Sequence, residues 1–213
     1  VTHKSFWNDP YATHINATVS GVEGDEVTLD RTIFFAFSGG QESDRGSIGA
    51  YQVLEARKQA KSIIYTLPPD HGLSVGDDVE VRIDWERRYR LMRLHFAAEM
   101  VLELVYRKLD YPDKVGAHIA EDKARIDFTW GENISVLFPE ILEAVDTIVG
   151  ADHPIISAYS DETEEKRYWE IPGFARVPCG GTHLRRTGEI GPITLKRKNP
   201  GKGKERVEIR LDD

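Results

Sequence analysis

The hydrophobic positions of this chain change period part-way along it. Ile15, Ala17 and Val19 alternate with polar neighbours, as do Val79, Val81 and Ile83, and strict alternation is the pattern of a half-buried strand. Over residues 11–84 such runs are short and separated by turn sequences, Glu23-Gly24-Asp25-Glu26 and Gly76-Asp77-Asp78 among them, which predicts a small barrel or curled sheet. From residue 87 to 108 the period lengthens. Leu91, Leu94, Ala98, Leu102 and Val105 fall on one face of a long amphipathic helix, and Tyr111-Pro112 stops it because the residue before a proline is pushed out of helical geometry. Beyond it, residues 123–128 alternate like a strand, 139–149 read as a second helix and 155–159 as a further strand. Residues 189–195 and 206–211, on either side of Asn199-Pro200-Gly201, predict a terminal hairpin. The pattern as a whole predicts two domains, a small β-barrel over residues 1–85 and a mixed α+β domain over residues 86–213.

Composition sets bounds on this picture. A chain of 213 residues with 40% hydrophobic content can bury ordinary cores, and its 30% charged residues are mixed in sign, so a globular protein is expected. No window approaches the roughly 20 consecutive apolar residues of a membrane span, which predicts a soluble, cytoplasmic protein with no membrane partner. The net charge of -8 argues against a nonspecific nucleic-acid coat. Two basic stretches run against that balance, Arg87, Arg88, Arg90 and Arg93 in the first helix, and Lys196, Arg197, Lys198, Lys202, Lys204 and Arg206 near the end. Charge alone leaves each as either a solvated face or a nucleic-acid contact.

Candidate chemistry sits in two short motifs. His95 and Glu99 stand one turn apart on the long helix, where i and i+4 side chains project together. Cys179 and His183 bracket Gly-Gly-Thr in a flexible segment, so a thiolate and an imidazole can fold around one ion. A His and a Glu at this spacing also describe an ordinary surface pair, and the lone cysteine is equally buried filler, a reactive thiol or a ligand. Taken together, the four residues suit tetrahedral zinc.

The run Cys179-Gly-Gly-Thr-His183, followed by Arg186-Thr-Gly-Glu-Ile-Gly-Pro-Ile193, resembles the C-terminal signature of the AlaX proteins and of the editing domain of alanyl-tRNA synthetase. Gly39-Gly-Gln41 with Ser43-Asp-Arg-Gly46 is similar to the glycine-rich segment of that family's N-terminal barrel. Arg90-Leu-Met-Arg-Leu-His95 and Asp122-Lys-Ala-Arg-Ile-Asp127 match in kind and order, so the resemblance covers nearly the whole chain and points to the medium-length form. It implies a β-barrel followed by an α+β zinc-binding editing domain, and a hydrolase acting on mischarged tRNA(Ala), chiefly Ser-tRNA(Ala) and also Gly-tRNA(Ala). It implies one Zn2+ per chain, for which His95, Glu99, Cys179 and His183 are the candidate ligands, with Glu99 and Thr182 as candidate catalytic residues. Substrate contacts are implied for Gly39, Gly40, Gln41 and Asp127, and tRNA contacts for Arg87, Arg88, Lys196, Arg197 and Lys198.

One position departs from the family pattern, which has a second histidine where this chain has Glu99. Glu99 then either replaces the imidazole as a ligand or acts as the base on a water held by a three-ligand ion, with His118 as a further candidate for the fourth ligand. The same ligand pattern is similar to the editing domain of threonyl-tRNA synthetases, so Ser-tRNA(Thr) is an alternative substrate. A non-catalytic tRNA-binding protein with a degenerate metal site is another.

Overall fold

The computed structural model describes residues 1–212. The chain folds into two compact units, the first made of residues 1–38 and 42–89, the second of residues 39–41 and the chain from residue 90 onward. The first unit holds β1 (His3–Lys4), β2 (His14–Glu23), β3 (Glu26–Leu29), β4 (Arg31–Thr32), β5 (Gly46–Ile48), β6 (Tyr51–Gln52), β7 (Glu55–Gln59), β8 (Ser62–Thr66) and β9 (Asp78–Ile83). Seven of them form one antiparallel sheet in the order β6-β5-β9-β2-β3-β8-β7, curled into a half-barrel. The two alternating runs of the sequence are direct partners in it, with Ile15 opposite Val81 and Ala17 opposite Val79. Their inward side chains join Val27, Leu29, Ile48, Ile63 and Tyr65 in the core of the half-barrel. Gly24 and Asp25 close the β2–β3 hairpin, since Glu23 pairs with Glu26.

A charged pair lies inside this unit. Arg88 and Asp44 are both fully buried, and the guanidinium donates to both carboxylate oxygens, to the carbonyl of Pro10 at 2.9 Å and to that of Ile33 at 2.6 Å. The second Asp44 oxygen also accepts from the Phe35 amide at 2.6 Å. A buried ion pair is tolerated only when its remaining hydrogen-bonding capacity is met, as it is here.

Helix α1 (Trp85–Leu109) carries the chain from the first unit into the second. The expected one-sided helix is corrected by the structure: Met92, Phe96, Ala97, Met100, Val101 and Leu104 are buried along with the predicted apolar stripe. It ends before Asp110 and Tyr111, both at positive φ, which breaks the helical hydrogen-bond ladder ahead of Pro112. The second unit continues with β10 (Lys114–Ile119), β11 (Ala124–Thr129), α2 (Phe138–Gly150), β12 (Ile156–Asp161), β13 (Lys166–Ile171), β14 (Ala175–Pro178), β15 (Ile193–Gly201) and β16 (Lys204–Leu211). These strands make a four-stranded sheet, β10-β11-β16-β15, and a three-stranded sheet, β12-β13-β14. The chain is therefore α+β, mostly sheet with two α-helices among the described residues.

The terminal hairpin is present but differs from expectation at both ends. Thr187–Ile190 forms a 3-10 turn in place of the first residues of the strand, with the Glu189 carboxylate accepting from the Arg185 and Arg186 amides. The hairpin turns at Lys202-Gly203, where both residues have positive φ, and not at Asn199-Pro200. Among the described residues no helix is long and apolar enough to cross a membrane.

Two substitutions test the core of the first unit. Asp44→Ala strands the Arg88 charge in an apolar interior and is expected to cost about 3–5 kcal/mol in chemical denaturation. Burial pushes the Tyr65 phenol well above its ordinary value of 10, its hydroxyl donating to Thr32 Oγ1 at 2.7 Å. The folded state therefore favours the neutral phenol, and this contribution is complete below pH 10 and lost as pH rises above it. Tyr65→Phe should flatten that alkaline loss relative to wild type while costing about 1 kcal/mol at neutral pH for the missing hydrogen bond.

Candidate metal centre

The ligand-type residues come from two places that the fold of the second unit brings together. Helix α1 presents His95 and Glu99 one above the other, and the segment after β14 presents Cys179 and His183. That segment begins on the sheet, with the Cys179 amide donating to the Arg167 carbonyl at 2.9 Å, and Leu184, buried just past His183, anchors its other end.

Both imidazoles offer the same nitrogen. His95 Nε2 and His183 Nε2 lie 3.4 and 3.3 Å from Cys179 Sγ. Their other ring nitrogens are engaged on the far side, His95 Nδ1 with the Thr182 carbonyl at 3.2 Å and His183 Nδ1 with Ser157 Oγ at 2.9 Å. A carbonyl can only accept, so His95 carries a proton on Nδ1, which leaves Nε2, on the side of the sulfur, as the nitrogen that would take a metal. The three ligand atoms lie within 4.8 Å of one another. Tetrahedral zinc, with Zn–S near 2.3 Å and Zn–N near 2.0 Å, would set sulfur and nitrogen about 3.5 Å apart. The observed separations suit that ion, and the donor set is one zinc prefers.

Glu99 lies outside this group, with its Oε1 3.6 Å from His95 Nε2. Its Oε2 accepts from the indole N–H of fully buried Trp169 at 3.0 Å. Trp169 on β13 and Ser157 on β12 are register partners, so one strand pair orients both Glu99 and His183. Phe96 packs edge-on against both Trp169 and His183 and closes the apolar side. Burial alone would raise the Glu99 carboxyl, but His95 and Trp169 outweigh it and bring it down to about 2. Burial likewise pushes the Cys179 thiol up, and the two imidazoles reverse this, leaving it at about 6. His95 is held well above its ordinary value: burial lowers it, and Cys179 and Glu99 raise it by more. The protein thus favours the thiolate, the form that binds metal.

Gly39–Gln41 belongs to this unit. Gln41 forms an isolated parallel bridge with Ile119 at the end of β10 and reaches the ligand segment, its Nε2 donating to Thr182 Oγ1 at 2.8 Å and its Oε1 accepting from the Thr182 amide at 3.3 Å. Gly40, at φ +91°, lies where a Cβ would stand 2.7 Å from the Ala117 carbonyl.

Other expected residues lie elsewhere. Asp127 is on β11, held by Arg206 at 2.6 and 2.9 Å and by Arg125, and is not brought to the ligand cluster. His118 on β10 pairs across from Arg125, outside the converging group. Arg87 and Arg88 are buried within the first unit, Arg87 on Glu42 and the Ser43 carbonyl and Arg88 on Asp44, so neither guanidinium faces solvent. Arg197 turns to Glu205 while Lys196 and Lys198 are exposed. Ser157 and Trp169, which support the site, carry no signal in the sequence, because a single serine or tryptophan becomes meaningful only through the strand pairing that places it.

Comparison with known proteins gives a consistent picture. Residues 169–208 match the family described as "Threonyl and Alanyl tRNA synthetase second additional domain". The chain is 31% identical to the alanyl-tRNA editing protein AlaX-M of Pyrococcus horikoshii, over 100% of this chain and 99% of that protein. It is equally similar, at 31%, to the AlaX-M protein of Methanosarcina mazei, over 100% of this chain and 98% of that one. It is 34% identical to the alanine–tRNA ligase of Ignicoccus hospitalis, where 91% of the chain aligns with 24% of the larger protein.

Gly181 gives a direct test of the cluster. A Cβ there would lie 2.2 Å from His95 Cε1 and 2.7 Å from Gln41 Oε1, so Gly181→Ala must displace both side chains. Zinc affinity, measured by competition with a chromophoric chelator, should fall about 10- to 100-fold. Gly131→Ala, where no atom lies within 4 Å of the added Cβ, should leave affinity unchanged.

Proposed function

The chain belongs to the AlaX-M family of alanyl-tRNA editing proteins, and from that premise we propose that it is a zinc-dependent hydrolase of mischarged tRNA(Ala). The ester it cleaves joins serine, and secondarily glycine, to the 3′ end of the tRNA. The observation that carries this reading is the convergence of His95 Nε2, Cys179 Sγ and His183 Nε2, with both Nδ1 atoms engaged outside. Zinc bound there supplies Lewis acidity for the ester carbonyl and for the attacking water.

The rest of the chemistry falls to side chains. Glu99 has one oxygen fixed by Trp169 and one turned toward His95, so it can receive a proton from a water beside the ligand group without swinging away. Three protein ligands with an adjacent carboxylate is an arrangement that leaves a position for water, and the place of Glu99 outside the group supports the base over the fourth-ligand role.

Selectivity falls to Thr182. Its Oγ1 accepts from Gln41, which leaves the hydroxyl proton to be donated elsewhere, and the hydroxyl of an esterified serine is a fitting acceptor. Alanine would leave that buried donor unsatisfied, a difference that can support discrimination of about 10⁴ in favour of serine, and glycine, which lacks the hydroxyl as well, is the poorer substrate for the same reason. Gly39, where a Cβ would meet no atom within 4 Å, leaves room for the terminal ribose to approach the backbone. The cellular setting is translation fidelity in the cytoplasm, with mischarged tRNA(Ala) as partner.

The test is release of serine from Ser-tRNA(Ala), with Ala-tRNA(Ala) and Ser-tRNA(Thr) as controls. Wild type is expected to release serine rapidly, to spare both controls, and to lose activity with a strong chelator and regain it with zinc. Glu99→Gln should retain zinc and lose about 10²-fold or more in kcat; loss of zinc in that variant would instead make Glu99 a ligand. Persistence of serine on the tRNA with zinc-loaded wild type would contradict the editing reading.

A further inference from the structure

The four-stranded sheet has one face turned to its core and one that is strongly charged. Across strands, Lys198, Arg206 and Asp127 form one row, and Lys196, Glu208 and Arg125 the next, with Arg210 opposite Thr194 beyond them. The intervening residues Val207, Ile209, Ile126 and Ala124 are fully buried on the other face. Alternation in β15 therefore separates a basic run that looks continuous in sequence: Lys196 and Lys198 point out, and Arg197 points back to Glu205.

The charges on the outer face do not cancel. Asp127 is matched by both Arg125 and Arg206, and Glu208 by Lys123 at 3.2 Å. Lys196, Lys198 and Arg210 are exposed and have no ion pair among the described residues. The arginines that hold Asp127 still present about a third of their side chains to solvent, 32% for Arg125 and 29% for Arg206. In a protein of net charge -8 this is a local excess of positive charge on one face of a sheet.

Its position gives the excess a direction. The β10 end of the sheet is joined to Gln41 through the Ile119 bridge and the Ile119 amide, which donates to the Gly40 carbonyl at 2.8 Å, and Gln41 holds Thr182 of the ligand segment. Lys196 and Lys198 lie on β15, three strand spacings away, or about 14 Å. Along β15 they repeat every two residues, or about 6.8 Å. We propose that this outer face is the docking surface for the sugar-phosphate backbone of the tRNA acceptor arm, which runs over the sheet while its 3′ end reaches the metal centre. The proposal rests on the editing reading above. It assigns the contacts to Lys196, Lys198 and Arg210, with Arg125 and Arg206 beneath them, and leaves out Arg197, Arg87 and Arg88.

The experiment measures tRNA(Ala) affinity over a salt series for wild type, Lys196→Gln/Lys198→Gln and Lys58→Gln, the last an exposed lysine of the first unit. Each lost phosphate contact lowers the slope of log affinity against log salt by about 1, so the double variant should lose about 2 and Lys58→Gln nothing. With Ser-tRNA(Ala), the double variant should raise KM at low salt and leave kcat unchanged. Unchanged slope and KM in the double variant would overturn the proposal, as would an equal effect of Lys58→Gln. Wild type that binds tRNA without releasing serine contradicts the editing reading, and the binding slopes then decide the surface by themselves.

Discussion

Thr182 makes three hydrogen bonds at once, one to helix α1 and two to Gln41, and so ties two distant parts of the second unit to the ligand segment. Its carbonyl fixes the His95 ring on α1, its hydroxyl accepts from Gln41 and its amide donates to the same side chain. Residues distant in sequence, 39–41, 95 and 179–183, are thereby held in one register. Because Thr182 and Gln41 are almost wholly buried, water cannot replace a broken partner, and each bond is costly to lose. Gly181 next to Thr182 is the steric counterpart of this constraint, since only a residue without a Cβ lets the segment pass so close to His95 and Gln41.

Around that node the protein concentrates ionisable groups where burial would ordinarily neutralise them. His95, Cys179 and Glu99 each meet a desolvation penalty as the largest single influence, and in each case neighbouring charge outweighs it. The thiol sulfur and the two imidazole nitrogens that converge beside Glu99 form a donor set that suits zinc. The Arg88–Asp44 pair in the first unit follows the same rule without a ligand: burial is tolerated because each guanidinium nitrogen and each carboxylate oxygen has a partner. Trp169 gives the Glu99 carboxylate a fixed orientation.

Much of this is legible in the sequence, and the rest is not for identifiable reasons. Alternation around Ile15 and Val81 marks strands that prove to be partners, because a half-buried sheet imposes period two on each strand independently. The ligand residues stand out because i,i+4 spacing and the Gly-Gly pair are local features. A few regularly spaced apolar residues satisfy the template of a one-sided helix, yet Phe96, Met100 and Leu104 bury the remaining sides of α1. Arg87 and Arg88 resemble a nucleic-acid contact in sequence since charge suggests solvent, whereas Glu42 and Asp44 take the two guanidiniums inward. The neighbours of Asp127 in sequence draw it toward the substrate, but strand pairing opposes it to Arg206. Ser157 and Trp169 depend on a register between β12 and β13 that no local pattern encodes.

The central claim is that His95, Cys179 and His183 hold one zinc ion. X-ray absorption at the zinc edge of the loaded protein measures this most directly. The account predicts a single sulfur scatterer at about 2.3 Å, two imidazole nitrogens at about 2.0–2.1 Å and one further light-atom ligand, with the sulfur contribution absent in Cys179→Ser. A spectrum from wild type with no sulfur in the coordination shell, or with nitrogen and oxygen ligands alone, would contradict it.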